Sequence, residues 1–273
     1  MAPNSIFSRI FRSVLDGSFA IKVMNRCSRI KYVPAEMLDT DKYFAENYPG
    51  HDWRKISPTA RSILIEFSPF FTNKKIHTIA YVGAHDGTMA IAINEVFPGC
   101  TFYLFEPVPD VYEKLVQHAE SHNNMYCINS AVGDKEELLD MYVDSFSPAS
   151  SILPYESIAL QEYPFLGKIN NTKVHVNTLD KLLKNNSVSA VDLLIMDVQG
   201  YEDNVLEGAK QTLKTCKVVI SELSLQKLYS GSSTFNSVYQ TLISKGFKLQ
   251  YLLNPMKGKS RTILQIDGVF IRE

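Results

Sequence analysis

Three carboxylates and a pair of glycines stand where short apolar runs end. His77-Thr-Ile-Ala-Tyr-Val-Gly83 is β-prone and closes on Gly83, and Gly87 follows with His85 between the two. Glycine between a strand and a helix lets backbone approach a ligand, and the helix start that follows favours an anionic group. The dinucleotide fingerprint Gly-x-Gly-x-x-Gly is absent, since the spacing here is Gly83-x-x-x-Gly87. A plain tight turn has the same spacing. Glu106 ends the run Thr101-Phe-Tyr-Leu-Phe-Glu106, roughly 20 residues past the glycines. An acid there can accept both ribose hydroxyls of a nucleoside, or it can start the helix after Pro107. Asp197 ends Val191-Asp-Leu-Leu-Ile-Met-Asp197, Gly200 turns the chain, and Glu202 opens the next helix. Asp197 can contact a cofactor, hold a cation or act as a general base. Glu202 is more simply a helix-start acid. Glu222 repeats the pattern after Val218-Val-Ile-Ser. Glu106, Asp197 and Glu222 are therefore expected to line one cleft.

Such a cleft needs strands that end on one side. Alternating runs supply them: a helix over Thr88 to Phe97, a helix over Pro107 to Ser121, a third strand over Met125 to Ala131. This alternation means βαβ units, a parallel sheet and right-handed crossovers. Val191 to Asp197 is apolar on both faces, as a central parallel strand should be. A helix over Glu202 to Leu213, a strand over Lys217 to Leu223 and a helix over Phe235 to Lys245 continue the pattern. Phe247 to Leu253 and Thr262 to Ile271 read as a hairpin around the polar turn Asn254 to Ser260. In open sheets of this kind ligands sit outside the carboxyl ends of the strands. The stretch from Leu138 to Val176 breaks the rhythm. Leu138 to Val143 and Lys173 to Val176 read as edge strands. The loop between them, with Ser147, Pro148, Ser150, Ser151, Pro154 and Pro164, is long enough to suggest a lid. His175 is a second-line acid–base candidate or a plain strand histidine.

The whole chain bounds these readings. It has 273 residues, 45% hydrophobic and 21% charged, which excludes a disordered or collagen-like protein. Lys plus Arg total 28 against 29 acids, and a net charge of -1 argues against a dedicated nucleic-acid binder. No run approaches the ~18 apolar residues of a membrane span. Cys27, Cys100, Cys127 and Cys216 form no Cys-x-x-Cys pair and read as reduced thiols, which fits a cytoplasmic location. Residues 1–70 are expected to be a partly helical N-terminal extension and 71–273 the main domain. Ile6, Phe7, Ile10, Phe11, Val14 and Leu15 make one apolar stripe, flanked by Arg9, Arg12, Lys22, Arg26, Arg29 and Lys31. Such a segment packs on its own domain, or, through residues 5–31, touches an anionic membrane or directs the chain to an organelle.

Taken together the motifs resemble the FkbM family of S-adenosylmethionine-dependent methyltransferases. Tyr81-Val-Gly-Ala-His-Asp-Gly87 is similar to the family's Asp-Val-Gly-Ala-Asn-x-Gly, and Glu106-Pro-Val-Pro109 to its Glu-Pro-x-Pro. Thr178-Leu-Asp180, Ile195-Met-Asp-Val-Gln-Gly-Tyr-Glu202, Val205-Leu-Glu-Gly-Ala209 and Ser150-Ser-Ile152 extend the likeness over residues 76–271. Tyr81, His85 and Gln199 depart from it, replacing an Asp, an Asn and a Glu. The resemblance implies an α/β fold: a doubly wound, mostly parallel seven-stranded Rossmann-like sheet with a C-terminal antiparallel hairpin. It implies S-adenosyl-L-methionine as cofactor, with a divalent metal left open. Gly83, Ala84, His85, Asp86 and Gly87 would pass the methionine part and Glu106 the ribose. Ser130, Ala131 and Val132 would border the adenine. Asp197 would face the sulfonium and the acceptor. Asp197 is then the first candidate base, with Glu222 and His175 behind it, and Ser150, Ser151 and Glu202 would lie on the acceptor side. The implied reaction is O-methylation of a sugar or glycan hydroxyl. Two alternatives stand beside it: a binding or scaffold protein with a degenerate cofactor site, which Tyr81 and His85 favour, and a nicotinamide oxidoreductase, which the missing fingerprint disfavours.

Overall fold

The computed structural model describes residues 74–272 throughout, together with the backbone of residues 20–24 and 30–34 and residues 55, 57, 59, 60, 63 and 67. The apolar stripe expected over residues 6–15 lies outside the described residues. The chain divides into two compact units, residues 1–68 with 92–98, and residues 69–91 with 99–273. In the first unit β1 (Ala20–Met24) pairs antiparallel with β2 (Ile30–Pro34). Ile21, Val23, Ile30 and Val33 are β-branched, which favours strand over helix in this stretch.

The second unit carries the remaining strands in chain order: β3 (Thr78–Val82), β4 (Thr101–Phe105), β5 (Met125–Ile128), β6 (Ala131–Val132), β7 (Glu137–Asp144), β8 (Ile169–Asn177), β9 (Leu193–Met196), β10 (Val218–Ser224), β11 (Phe247–Lys257) and β12 (Ile263–Arg272). The helices are α1 (Thr88–Val96), α2 (Pro109–Ala119), α3 (Ser157–Glu162), α4 (Leu179–Asn185), α5 (Glu202–Glu207), α6 (Thr212–Thr215) and α7 (Phe235–Ser244). Seven strands form one sheet in the order β11-β12-β10-β9-β3-β4-β5. β10, β9, β3, β4 and β5 run parallel, and β12 and β11 close the sheet as an antiparallel hairpin. Every residue of β9 and β10 is buried, as the apolar runs require of central strands. Val82, Phe105, Met196 and Leu223 from the strands pack with Leu179, Leu182, Val205, Leu206 and Leu242 from the helices in one core cluster. That packing fixes the strand ends where the acids stand.

Four elements differ from their sequence patterns, each for a local reason. The third strand stops at Ile128, and Ala131–Val132 crosses to a second sheet, β6-β8-β7, with its own core of Val108, Val111, Met141, Val174 and Val176. The helix expected over Glu202 to Leu213 is cut in two at Gly208. A Cβ there would overlap the Gly133 carbonyl, and Asp180 accepts from the Gln211 N–H (2.7 Å), the Thr212 N–H (2.8 Å) and the Thr212 hydroxyl (2.7 Å), starting α6 anew. β11 runs on through the expected turn to Lys257. Its register shifts between Leu253 and Met256 let Pro255 sit at an irregularity of an edge strand. The stretch between β7 and β8 is held by Asp144, which accepts from the Phe146 N–H (2.8 Å), the Gly167 N–H (2.7 Å) and the Tyr155 hydroxyl (3.2 Å). It contains a short 3-10 turn, Ser147–Ala149, and α3.

Candidate active site

The turn after β3 is shaped by backbone that side chains would block. Gly83 and Gly87 have φ of 79° and 81°, and a Cβ on Gly83 would overlap the carbonyl oxygen of Asp197. Only glycine lets the ends of β3 and β9 meet this closely. The Gly83 and Ala84 N–H groups both donate to the Phe105 carbonyl at 3.0 Å, tying the turn to the end of β4. His85 takes a left-handed φ of 51°. Its N–H donates to Glu106 Oε2 at 3.1 Å, and the Val108 N–H donates to Glu106 Oε1 at 2.9 Å. Glu106 is thereby buried and fixed, each oxygen keeping a lone pair for a further donor. His85 Nε2 lies 2.8 Å from Ser147 Oγ, and its Nδ1 lies 3.6 Å from Asp86 Oδ1. Asp86 also accepts from the Thr88 N–H at 3.0 Å, at the start of α1.

At the next two strands, β9 and β10, Asp197 and Glu222 share one amide. Gln199 Nε2 donates to Asp197 Oδ1 at 2.6 Å and lies 3.4 Å from Glu222 Oε2. Gln265 Nε2 donates to the same Glu222 oxygen at 2.5 Å. Glu222 Oε1 is buried and has no hydrogen-bond partner among the described residues. Gln199 is itself held. Its Oε1 accepts from the Tyr229 hydroxyl at 2.8 Å, and its carbonyl accepts from the Ser151 hydroxyl at 2.8 Å. Gln199 and Gly200 have φ of 53° and 98°, so the turn after β9 is left-handed twice running. Glu202 is buried, and its Oε1 accepts from the Gly200 N–H at 3.1 Å.

Burial sets the charge balance. It pushes Glu106 up to about 7 against the hydrogen bonds from Val108 and His85, and Asp197 up to about 6 against the Gln199 bond and the His85 charge. Glu202 is pushed up to about 7 by burial. Burial, then the charges of Asp197, Glu202 and Asp267, raises Glu222 well above its ordinary carboxylate value. Burial opposes the charge on His85, but Asp86, Glu106 and Asp197 outweigh it and raise its pKa. The hydrogen bond from His85 holds Asp86 below the usual range. The site therefore gathers carboxyl groups whose proton affinity burial raises around a histidine whose own proton affinity they raise.

The structure gathers some of the expected residues and not others. Gly83 to Gly87, Glu106, Asp197, Glu202 and Glu222 stand at the carboxyl ends of β3, β4, β9 and β10. Ser130 lies beside Glu106, because both residues' N–H groups donate to the Ile128 carbonyl at 3.1 Å, and Ala131 and Val132 follow, buried, in β6. The Ser150 hydroxyl accepts from the Asp144 N–H, and Ser151 bridges the Gln199 carbonyl and the Leu153 N–H. Both serines are buried and shape the backbone. His175 is exposed on β8 of the second sheet, and the structure gives its ring no part in the Asp197 network. Among the described residues no cluster of three or more His, Cys, Asp or Glu could hold a metal ion. Sequence reasoning missed Ser147, Tyr229 and Gln265 as members. Their only signal is contact across the fold, which spacing does not carry.

S-adenosylmethionine fits this arrangement. Glu106, fixed and buried, would meet the ribose diol, the glycine turn would leave room beside it, and Asp197 would give a sulfonium a negative neighbour. Gly83, His85, Asp86, Asp197 and Gln199 are half-buried, so the edge is open to solvent. Tyr81 is buried and leaves the methionine end without the acid usual at that position.

Fold and site together define an S-adenosylmethionine-dependent methyltransferase. The chain belongs to the methyltransferase FkbM domain family, whose model matches residues 81–249. It is similar to the 2-O-methyltransferase NoeI of Sinorhizobium fredii (strain NBRC 101917 / NGR234), 24% identical over 169 residues, 60% of this chain and 70% of that protein. Among solved structures it is similar to Aeropyrum pernix fibrillarin with natively bound S-adenosyl-L-methionine (13% identity, 71% of this chain and 66% of that one, TM-score 0.43). It is also similar to magnesium protoporphyrin IX methyltransferase from Synechocystis PCC 6803 (11% identity, 79% and 78%, TM-score 0.44).

Proposed function

We propose that the protein is an O-methyltransferase acting on a hydroxyl of a sugar or glycan, with Asp197 as the base. The observation that carries this reading is Asp197 itself. It is a half-buried carboxylate at the end of a wholly buried strand, with Oδ1 held by Gln199 and its proton affinity raised toward neutrality. The FkbM relative NoeI, a 2-O-methyltransferase by name, supports a hydroxyl acceptor.

S-adenosylmethionine, when bound, supplies a methyl group on a sulfonium. Glu106 would hold the ribose hydroxyls, and the Gly83–Gly87 turn would pass the methionine part. Asp197 would accept the acceptor hydroxyl's proton as the oxygen attacks in line. Alignment contributes most of the acceleration in such a displacement, because the two reactants are held together in one geometry. A sugar hydroxyl is a weak acid, so a base near neutrality also contributes. Glu222, whose proton affinity burial raises well above the ordinary carboxylate value, would take a shared proton in preference to Asp197. Methyl transfer from labelled S-adenosylmethionine to a panel of glycans and nucleotide sugars tests the acceptor class. On the responding acceptor and at saturating S-adenosylmethionine, Asp197→Asn should slow single-turnover transfer by about 10²–10⁴-fold. A full-speed variant removes Asp197 as the base.

A further inference from the structure

We propose that Gln199 is a positioning residue that divides the work of the two neighbouring acids: its amide keeps Asp197 anionic toward the methyl donor and leaves the proton on Glu222. The inference rests on the reading of Asp197 given under Proposed function, and it concerns a position where the family motif has a carboxylate.

An amide and a carboxylate differ in what they can give. A Gln side chain has two N–H donors and a carbonyl acceptor, whereas an ionised Glu has acceptors only. Between Asp197 Oδ1 (2.6 Å) and Glu222 Oε2 (3.4 Å), the Nε2 group faces an acid on either side. A carboxylate in that place would be a third acid beside Asp197 and Glu222, and like charges so placed force a proton onto one of them. The orientation of the amide is set by its other end, where Oε1 accepts from the Tyr229 hydroxyl at 2.8 Å. The Ser151 hydroxyl on the Gln199 carbonyl holds the main chain in its left-handed turn. Gln199 therefore has little freedom to rotate its N–H groups away from Asp197. Glu222 takes a second donor in Gln265, which favours its ionised form, but its burial, the acids around it and a buried Oε1 without a partner among the described residues outweigh that and raise its proton affinity.

The groups that face Asp197 are Tyr81 from β3, His85 from the turn after it, Glu106 at the end of β4, Glu202 at the start of α5, Glu222 from β10, and Tyr229. Asp267, on β12 opposite Glu222 in register, adds to the negative field on that acid. His85 is the one group of this set that can carry positive charge, and the Gln199 amide adds an uncharged donor to Asp197 among the acids of β10 and α5.

The test follows protons released when S-adenosylmethionine binds. Calorimetry in buffers of differing ionisation enthalpy, repeated from pH 5 to 8 on the full chain, gives that number at each pH. A cation binding beside Asp197 expels any proton it carries. In the wild type, release should fade out as pH rises toward neutrality. In Gln199→Leu and Gln199→Glu the fade-out should move up by about one pH unit, a tenfold gain in proton affinity. Tyr229→Phe, a milder change that keeps the amide, should move it the same way by less. Adding Asp197→Asn to Gln199→Leu should abolish the extra release. Superimposable proton-release curves for wild type and both Gln199 variants, with S-adenosylmethionine still bound, would overturn the role of Gln199 and leave the site reading intact. A wild type whose proton release is unchanged by Asp197→Asn would overturn the site reading, and this inference with it.

Discussion

At the residue scale the site is a contest between burial and hydrogen bonding, and Glu106 shows both. Its carboxylate is 5% exposed, yet two backbone N–H groups hold it in one orientation. Of the two readings that spacing allows, a helix-start acid and a ribose ligand, the bond from the Val108 N–H at the start of α2 accounts for the first and leaves the second to the experiment. Glu106→Gln should weaken S-adenosylmethionine binding by roughly 10- to 100-fold, the loss of charge-assisted bonds worth about 1.5–3 kcal/mol. Titration calorimetry on a variant that melts cooperatively measures it, and an unaltered Kd takes Glu106 out of the site. His85 is legible as part of the glycine turn. Its hydrogen bond to Ser147, 62 residues away, is not.

At the element scale, breaks matter as much as strands and helices. The motif Thr178-Leu-Asp180 is a structural device here. Thr178 accepts from the Lys181 N–H to cap α4, and Asp180 caps α6 from across the fold. Asp180→Ala would strand three donors and should cost about 2 kcal/mol of stability. Urea unfolding gives the value, and Asp180→Asn should recover part of it by keeping an acceptor. A loss below a few tenths of a kcal/mol would mean that α6 starts without this cap. The periodicity of residues 202–213 cannot show the break at Gly208, because the cause is the approach of Gly133 from another element.

At the scale of the whole molecule, acids buried with raised pKa make stability depend on pH. Glu202 is 2% exposed and its pKa is lifted from 4.5 to about 7 by burial. A carboxyl raised in the folded state favours folding below its unfolded pKa, and that contribution is lost as pH rises through the folded value. Each pH unit in that window is about 1.4 kcal/mol, so the wild type should lose roughly 3 kcal/mol relative to Glu202→Gln between pH 4.5 and 8. Denaturant midpoints of both proteins at the two ends of the range measure it. Parallel curves would show that Glu202 is ionised at little cost. Glu106 and Asp197 act in the same direction, and Asp86, lowered by His85, acts in the opposite one at acid pH.

Sequence by itself determined the alternation of strand and helix, the closing hairpin, and the acids Glu106, Asp197 and Glu222 at strand ends. These are local properties: apolar runs report which residues are buried, and glycine reports where backbone must turn or touch. Tertiary structure alone decided what those acids meet. Gln199 reaches Tyr229 across 30 residues and Ser151 across 48, and no period in the chain encodes either contact. The same holds for Ser150 and Ser151, whose hydroxyls serve the backbone, and for His175, placed on a second sheet because Ala131 and Val132 leave the first. Hydrophobic patterning selects a face for each element. Which polar groups then share a site follows from how the faces close, and burial in that closure raises the proton affinity of both Asp197 and Glu222.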